Sequence, residues 1–245
     1  MIQVRNLIKI FKDKKRGEVR AVDDVTFSCE PGRIFGLLGP NGAGKTTTLR
    51  IISTTMRATA GTVEVDGLDV RKRAQEVRGK IGFLTGNTGL YQRLTTREVI
   101  TYFGRLNGMR KSRVNERLEE ISSWLDMGDF LDTKCAKLSH GMEQKVNIAR
   151  TIIHDPPVMV FDEPTVGLDI LAARSIVDFI NFCRGQGKCI VFSTHIMREA
   201  ERLCDEVAII HKGKIFAQGS VAALKRVAEE EEFEDAFVKI VGEER

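Results

Sequence analysis

The sequence predicts an α/β fold with a helical insertion, and three observations carry that expectation. Short β-branched and apolar runs alternate with segments of helical periodicity, the pattern of a sheet joined by crossover helices. Between Gly86 and Pro156 the β signal disappears and helical patterns replace it. With 245 residues, 42% of them hydrophobic, the chain can bury a full core as one α/β domain.

In order, strands are expected near residues 3–8, 25–29, 34–38, 62–65, 81–84, 158–161, 189–193 and 207–211, with helices after several of them and one starting near Lys45. Thr95 and Glu98 form a capping-box pattern at the start of the insertion, where each side chain can satisfy a backbone N–H that the helix leaves unpaired. Helical patterns follow at 99–106, 112–125 and 140–154. The C-terminal segment begins acidic, then places Phe233, Ala236, Phe237 and Ile240 at helical spacing, so a short docked helix is expected there. No internal repeat or flexible linker interrupts the chain.

Composition narrows the function. Thirty-eight Lys and Arg against 34 Asp and Glu leave a net charge of +4, too balanced to attract nucleic acid by electrostatics alone, so no nucleic-acid partner is expected. The five cysteines include no C-x-x-C pair and sit mostly among apolar residues, as core thiols do in a reducing compartment. The longest apolar runs, at 34–38 and 158–161, fall far short of the roughly 20 residues that span a bilayer. Any membrane role is therefore expected to come from a partner. Arg5 and Lys9 interrupt the apolar pattern of the first residues, which suits a strand better than a signal peptide, and a cytoplasmic location is expected.

Two motifs carry chemistry. Gly39-Pro40-Asn41-Gly42-Ala43-Gly44-Lys45-Thr46 fits G-x-x-x-x-G-K-[ST] between an expected strand and an expected helix. Such glycines let the backbone close around a phosphate chain and aim its N–H groups inward, while the helix N-terminus adds positive potential. Lys45 is placed to hold the β and γ phosphates, Thr46 to give a hydroxyl to Mg²⁺, and Thr47 to bond a phosphate oxygen. The second motif is the apolar run at 158–161 ending in Asp162-Glu163-Pro164. A strand buried on both faces delivers its terminal carboxylates at the carboxyl edge of the sheet, beside the phosphate loop. Asp162 can then hold Mg²⁺ through water, and Glu163 is a candidate general base for the water attacking the γ phosphate. Two solvated acids at a strand end are the plainer alternative.

With these motifs in view, Leu138-Ser139-His140-Gly141-Met142-Glu143-Gln144 resembles the LSGGQ signature of ABC (ATP-binding cassette) ATPases. Gly167-Leu168-Asp169 resembles the family's D-loop, and Ser193-Thr194-His195 its switch histidine. All five elements stand in the family's order, over essentially the whole chain. The resemblance implies a P-loop NTPase cassette: a RecA-like core sheet and an N-terminal antiparallel β-subdomain with an inserted helical subdomain. It divides the chain into core at 1–85 and 156–219, helical subdomain at 86–155 and a helical tail at 220–245. It also implies ATP and Mg²⁺ as cofactors and an ATP-dependent head-to-tail homodimer, with each ATP between the phosphate loop of one subunit and Leu138 to Met142 of the other. Glu163 and His195 are the implied catalytic residues, Asp169 an interface link, and Phe11 the aromatic that stacks on adenine.

This sequence departs from the family pattern in three places. His140 and Met142 replace a glycine and a glutamine of the signature; Ser139 and Gly141 are retained, and a side chain at 140 can point away if the local φ is negative. Where the family carries its Q-loop glutamine stands Gly86, followed by Asn87, so that either Asn87 or water would take the place beside Mg²⁺. The segments GFLTGNTGLYQRLT and LSHGMEQKVNIAR resemble the ATPase subunits of Na⁺-exporting transporters of the NatA type. By that resemblance the chain energises a separate membrane-spanning permease, peripherally on the inner face of the plasma membrane. A drug, lipid or peptide cargo stands open beside Na⁺, and a non-transport ABC ATPase is the further alternative. Leu90, Tyr91 and Leu94 are either the docking place of the permease's coupling helix or internal packing of a loop.

Overall fold

Residues 1–13, 17–86 and 89–242 are described by the computed structural model of the chain. The first elements are β1 (Ile2–Asp13), β2 (Gly17–Cys29), β3 (Ile34–Leu38), α1 (Lys45–Ile52), β4 (Ala60–Val65), β5 (Leu68–Asp69), α2 (Ala74–Lys80) and β6 (Ile81–Leu84). Then come α3 (Thr96–Leu106), α4 (Lys111–Trp124), α5 (His140–Ile152), β7 (Val158–Asp162), α6 (Ile170–Gly185) and β8 (Cys189–Thr194). The chain continues through α7 (Met197–Leu203), β9 (Glu206–His211), β10 (Lys214–Gly219), α8 (Val221–Ala228) and α9 (Phe233–Gly242).

An antiparallel sheet of order β2-β1-β4-β5 is built by the early strands. Alternation drives it: Val22, Val25, Phe27 and Cys29 of β2 turn inward while their neighbours face out, and Phe27 stacks on Phe35 of β3 at 4.6 Å. The strands expected at 3–8 and 25–29 are only the inner halves of β1 and β2. Their outer arms are exposed and rich in charge, held by the pairings Ile10 with Arg20 and Phe11 with Val19. A ladder without an apolar face leaves no local pattern to read. The unexpected β5 and β10 have the same cause: each is held by pairing, β5 with β4 and β10 with β9, and their side chains are only half-buried or exposed.

The second sheet has the order β10-β9-β3-β8-β7-β6, parallel except for β10. Every residue of β3, β7 and β8 is buried, which is why these strands show continuous apolar runs rather than alternation. Because β3, β8 and β7 are neighbours, their carboxyl ends open side by side, and the functional residues collect there. Cys29 and Cys189 tie the two sheets together: Cys189 Sγ donates to the Cys29 carbonyl at 3.2 Å, and Cys29 Sγ to that of Ile190 at 3.3 Å. All five cysteines are free, four of them buried.

Between β6 and β7 the chain is helical. The capping box forms as expected, with Thr95 N donating to Glu98 Oε2 at 2.8 Å and Glu98 N to Thr95 Oγ1 at 3.2 Å. This segment shares its core with the parallel sheet: Leu118, Ile121, Val146 and Ile152 join one cluster with Met159, Phe161, Ile190 and Phe192. Leu90, 8% exposed, belongs to that cluster and Leu94 packs against it, whereas Tyr91 is 53% exposed. Two of the three residues considered for partner docking therefore do packing work inside the fold.

The short docked helix expected in the C-terminal segment is α9, and a further helix, α8, precedes it. Ser220 caps α8 by accepting from Ala223 N, and Glu229 ends it in a left-handed turn. On α9, Phe233 and Ala236 are buried against Leu38, Val207 and Ile209, with Phe237 and Ile240 at the margin. Burying a phenylalanine contributes about 1.5–3 kcal/mol, enough to hold so short a helix in place. Among the described residues, no helix is long and apolar enough to cross a membrane.

Candidate active site

The loop after β3 is shaped by contacts that leave no room for side chains. A Cβ on Gly39 would lie 2.1 Å from the Ile210 carbonyl oxygen, and Gly44, the N-cap of α1, has φ of 109°. Pro40, Asn41 and Gly42 face solvent, and Ala43 is buried beneath them. Lys45 begins α1 only 4% exposed, its Nζ donating to the carbonyls of Gly39 at 2.5 Å and Pro40 at 3.2 Å. Thr46 and Thr47 stand half-buried on the same turn, and Thr46 Oγ1 donates to Asp162 Oδ1 at 3.2 Å.

Asp162 closes β7, 5% exposed, and its Oδ1 also accepts from Ser193 Oγ at 2.6 Å. Glu163 follows with φ of 49°, an unfavourable left-handed conformation held because its N–H donates to both the carbonyl and the Oγ of Ser193, each at 3.1 Å. That turn swings the Glu163 carboxylate toward the loop. Its Oε1 lies 3.1 Å from Lys45 Nζ and 3.2 Å from His195 Nδ1. Partial burial pushes the Glu163 carboxyl up, but hydrogen bonds from His195 and Lys45, with their charges, outweigh it and leave it below the usual glutamate value. The loop carrying His195 is fixed by Thr194, whose Oγ1 donates to Glu199 Oε2 at 2.8 Å and accepts from Ile196 N at 3.0 Å.

The Thr46 hydroxyl and Asp162 carboxylate form an adjacent pair of oxygen donors, the hard chemistry that Mg²⁺ takes when it keeps most of its other ligands as water or substrate. These residues fit that ion. Asn87 lies outside the described residues; Gly86 is in an exposed turn.

Residues 138–142 lie apart from this cluster, and among the described residues no hydrogen bond or ion pair joins them to the phosphate loop. Ser139 is the N-cap of α5 and accepts from Met142 N at 3.3 Å. Leu138 and Met142 pack against the main core cluster. His140 has negative φ and lies against the D-loop, its Nε2 3.3 Å from where a Gly167 Cβ would stand. Gly141 similarly faces Ala172, and Gln144 Nε2 donates to the Pro164 carbonyl at 2.6 Å. The signature turn is thus tied within its own subunit to the segment following Glu163. Asp169 caps α6 through Ala172 N at 2.9 Å. Phe11 is 38% exposed on the outer arm of β1 and so is no core residue; Lys9 Nζ sits 5.0 Å from its ring centroid.

The fold thus gathers Lys45, Thr46, Asp162, Glu163 and His195 at the carboxyl edge of the parallel sheet, and leaves Phe11, 138–142 and Asp169 outside that cluster. Ser193 entered the sequence argument only as a letter of the switch motif, yet it touches both acids. The available signal was a polar residue in an otherwise apolar strand.

A glycine-shaped loop with a buried lysine, facing an Asp-Glu pair and a histidine, defines a P-loop nucleoside triphosphatase. Residues 22–166 match the family model described as ABC transporter. The chain is 43% identical over 236 residues to the ABC transporter ATP-binding protein NatA of Bacillus subtilis (strain 168), covering 96% of this chain and 94% of that one. It is 37% identical over 211 residues to the Nod factor export ATP-binding protein I of Paraburkholderia xenovorans (strain LB400), covering 86% and 69%. Among solved structures, an ATP-binding subunit of an ABC transporter superposes with a TM-score of 0.87 at 28% identity, covering 98% of this chain and 99% of that one. A dimeric cassette in a post-hydrolysis state bound to ADP and Pi gives 0.77 at 25% identity, covering 90% and 98%. The chain belongs to the ATP-binding subunits of ABC transporters, and it is an ATPase.

Proposed function

We propose that two copies of this chain close head to tail around two ATP molecules and thereby drive a separate membrane-spanning exporter. The observation that carries the reading is the meeting of Lys45 and His195 on one oxygen of Glu163. In that arrangement Lys45 leaves the loop carbonyls to hold the β and γ phosphates, and the residues from Gly39 to Thr47 wrap the phosphate chain. Glu163 accepts the proton of the attacking water, and release of Lys45 to the phosphates removes one of the two cations that lower its proton affinity in the nucleotide-free site. His195 orients that water and the γ phosphate. Thr46 and Asp162 hold Mg²⁺, with Asn87 a further candidate ligand; the ion offsets charge on the phosphate oxygens when bound. Phe11 stacks on the adenine.

Across the interface, the N-terminus of the partner's α5 faces the γ phosphate. Ser139 caps that helix through Met142 N and leaves the first-turn N–H groups of His140 and Gly141 to meet the phosphate. ATP joins the two subunits, and loss of the γ phosphate lets them part. Asp169 couples the two sites. The dimeric cassette among the structural relatives supports this assembly.

We divide the chain into ATPase core (1–85 and 156–219), helical subdomain (86–155) and tail (220–245), and propose the seam between the first two, near Tyr91, as the coupling surface. A groove of about 290 Å³ lies on that seam, lined by Phe83, Leu84, Phe103, Leu106, Arg150 and His154. In this reading it takes a helix of the permease, and the chain works on the inner face of the plasma membrane. Na⁺ is the cargo we infer, from kinship to the NatA-type subunits.

The test is the solution mass of Glu163→Gln with and without MgATP. Doubling only with MgATP supports the shared site. A variant that binds ATP yet stays monomeric at tens of micromolar, also with the permease present, counts against it. Efflux of ²²Na⁺ from vesicles holding both subunits, absent with Glu163→Gln, tests the cargo.

A further inference from the structure

We infer that Ser193 is a positioning residue for ATP hydrolysis, a single hydroxyl that sets both the metal-side carboxylate and the base-side carboxylate. The inference rests on the site reading above and adds a part to it. Ser193 is wholly buried near the end of β8, and its Oγ bonds both Asp162 at the end of the neighbouring strand and the backbone of Glu163 just beyond it. It donates to Asp162 Oδ1 at 2.6 Å and accepts from Glu163 N at 3.1 Å. Neither bond is needed for the sheet itself, whose β7–β8 ladder pairs Asp162 with Ser193 through the backbone.

Each bond has a distinct consequence. Asp162 is buried, and among the described residues its Oδ1 receives, besides the Ser193 bond, the longer one from Thr46 at 3.2 Å. The Ser193 proton therefore fixes the carboxylate's rotation, leaving Oδ2 as its other donor oxygen. Thr46 then becomes free to turn its hydroxyl toward a metal without releasing Asp162. The second bond holds the N–H of a residue in a costly left-handed conformation, and it is this turn that brings Glu163 Oε1 to Lys45 and His195. Alanine at 193 leaves the Asp162 rotor loose and removes one of the two bonds to the Glu163 amide. Partners that orient a metal ligand commonly change metal affinity or activity by about 10–100-fold when lost.

The experiment compares Ser193→Ala, Ser193→Thr and Asp162→Asn with the intact chain in three readouts. The first is Mn²⁺ binding in the presence of ADP, followed by the electron-paramagnetic-resonance signal of free Mn²⁺. The second is ATP binding in EDTA, and the third is kcat and its half-saturating Mg²⁺ concentration. Ser193→Ala is expected to weaken Mn²⁺ binding about tenfold and lower kcat by a similar factor. ATP binding without metal and the melting temperature should stay near those of the intact chain, and Ser193→Thr, which keeps the hydroxyl, should recover most of both losses. If Asp162→Asn weakens Mn²⁺ binding and Ser193→Ala does not, the inference falls while the site reading survives. If Asp162→Asn leaves Mn²⁺ binding unchanged, the site reading falls and takes the inference with it. Equal loss of EDTA-insensitive ATP binding, melting temperature and turnover in Ser193→Ala would mean a packing role only, which also overturns it.

Discussion

Lys45 Nζ and Glu163 Oε1 stand 3.1 Å apart, so the cation of the phosphate loop and the acid after β7 neutralise one another inside a single site. The lysine is almost wholly buried, while the carboxylate keeps about a quarter of its surface open to water. In the proposed mechanism ATP replaces Glu163 as the counter-charge of Lys45, and Glu163 turns toward the water. Glu163→Gln should keep ATP binding and lose at least about 100-fold in turnover, the usual worth of a positioned base. Steady-state phosphate release beside equilibrium ATP binding measures both. Turnover within threefold of the intact chain would remove Glu163 from the mechanism.

Asp169 has a local duty that can be separated from any role across an interface. Its carboxylate caps α6 through Ala172 N, so Asp169→Ala should cost about 1 kcal/mol in urea unfolding. Asparagine caps a helix equally well, and Asp169→Asn should unfold with the intact chain. Turnover lost in the asparagine variant then reports the missing charge between subunits. Turnover lost only in the alanine variant would reduce Asp169 to a helix cap.

What could be read in advance follows from how far each signal travels along the chain. The phosphate loop needs its glycines, lysine and threonine within one turn, and the buried strands β3, β7 and β8 need uninterrupted apolar residues, so both are written contiguously. The bond between Thr46 and Asp162 spans 116 residues, and only the expected adjacency of strand ends pointed to it. Ser193 shows in the sequence only as a polar residue ending an apolar run; what it holds is not written beside it, because Asp162 lies on another strand 31 residues away. The outer arms of β1 and β2 and the strand β10 were missed because backbone pairing, which leaves no mark in side-chain pattern, holds them. Leu90 and Leu94 show the opposite limit. Apolar residues in a loop look alike whether they meet a partner or their own core, and here the core takes them.

Neighbours Leu90 and Tyr91 should consequently respond in opposite ways. Leu90→Ala removes buried methyl groups from the cluster under the insertion and should cost about 2–4 kcal/mol. Tyr91→Ala, on the surface beside Tyr102, should change stability by no more than about 0.5 kcal/mol. Urea unfolding of both variants checks the pair. If Tyr91 lies at the permease contact, its variant alone should weaken co-purification of the membrane subunit.

Asp155 supplies the pH test, because it joins the insertion to the sheet through two cations. Arg117 Nη2 on α4 donates to its Oδ1 at 3.2 Å and Lys188 Nζ at 2.8 Å. Partial burial pushes the Asp155 carboxyl up, but the hydrogen bond from Lys188 and the charges of Arg117 and Lys188 prevail and hold it below the ordinary 3.8. The native state thus binds a proton less readily than the unfolded chain does. The stabilisation is complete above the unfolded value and is lost as pH falls through the lower native one. Residue 155 has φ of 56°, which asparagine tolerates, so Asp155→Asn removes charge without straining the backbone. Arg117 is buried and keeps Glu120, while Asp155 is about half open to water, so screening limits the cost to about 1–2 kcal/mol. That difference from the intact chain should hold from pH 7 to pH 5 and shrink below about pH 4. A gap that instead widened on acidification would mean that the Asp155 carboxylate destabilises the native state, opposite to the direction its two cations impose.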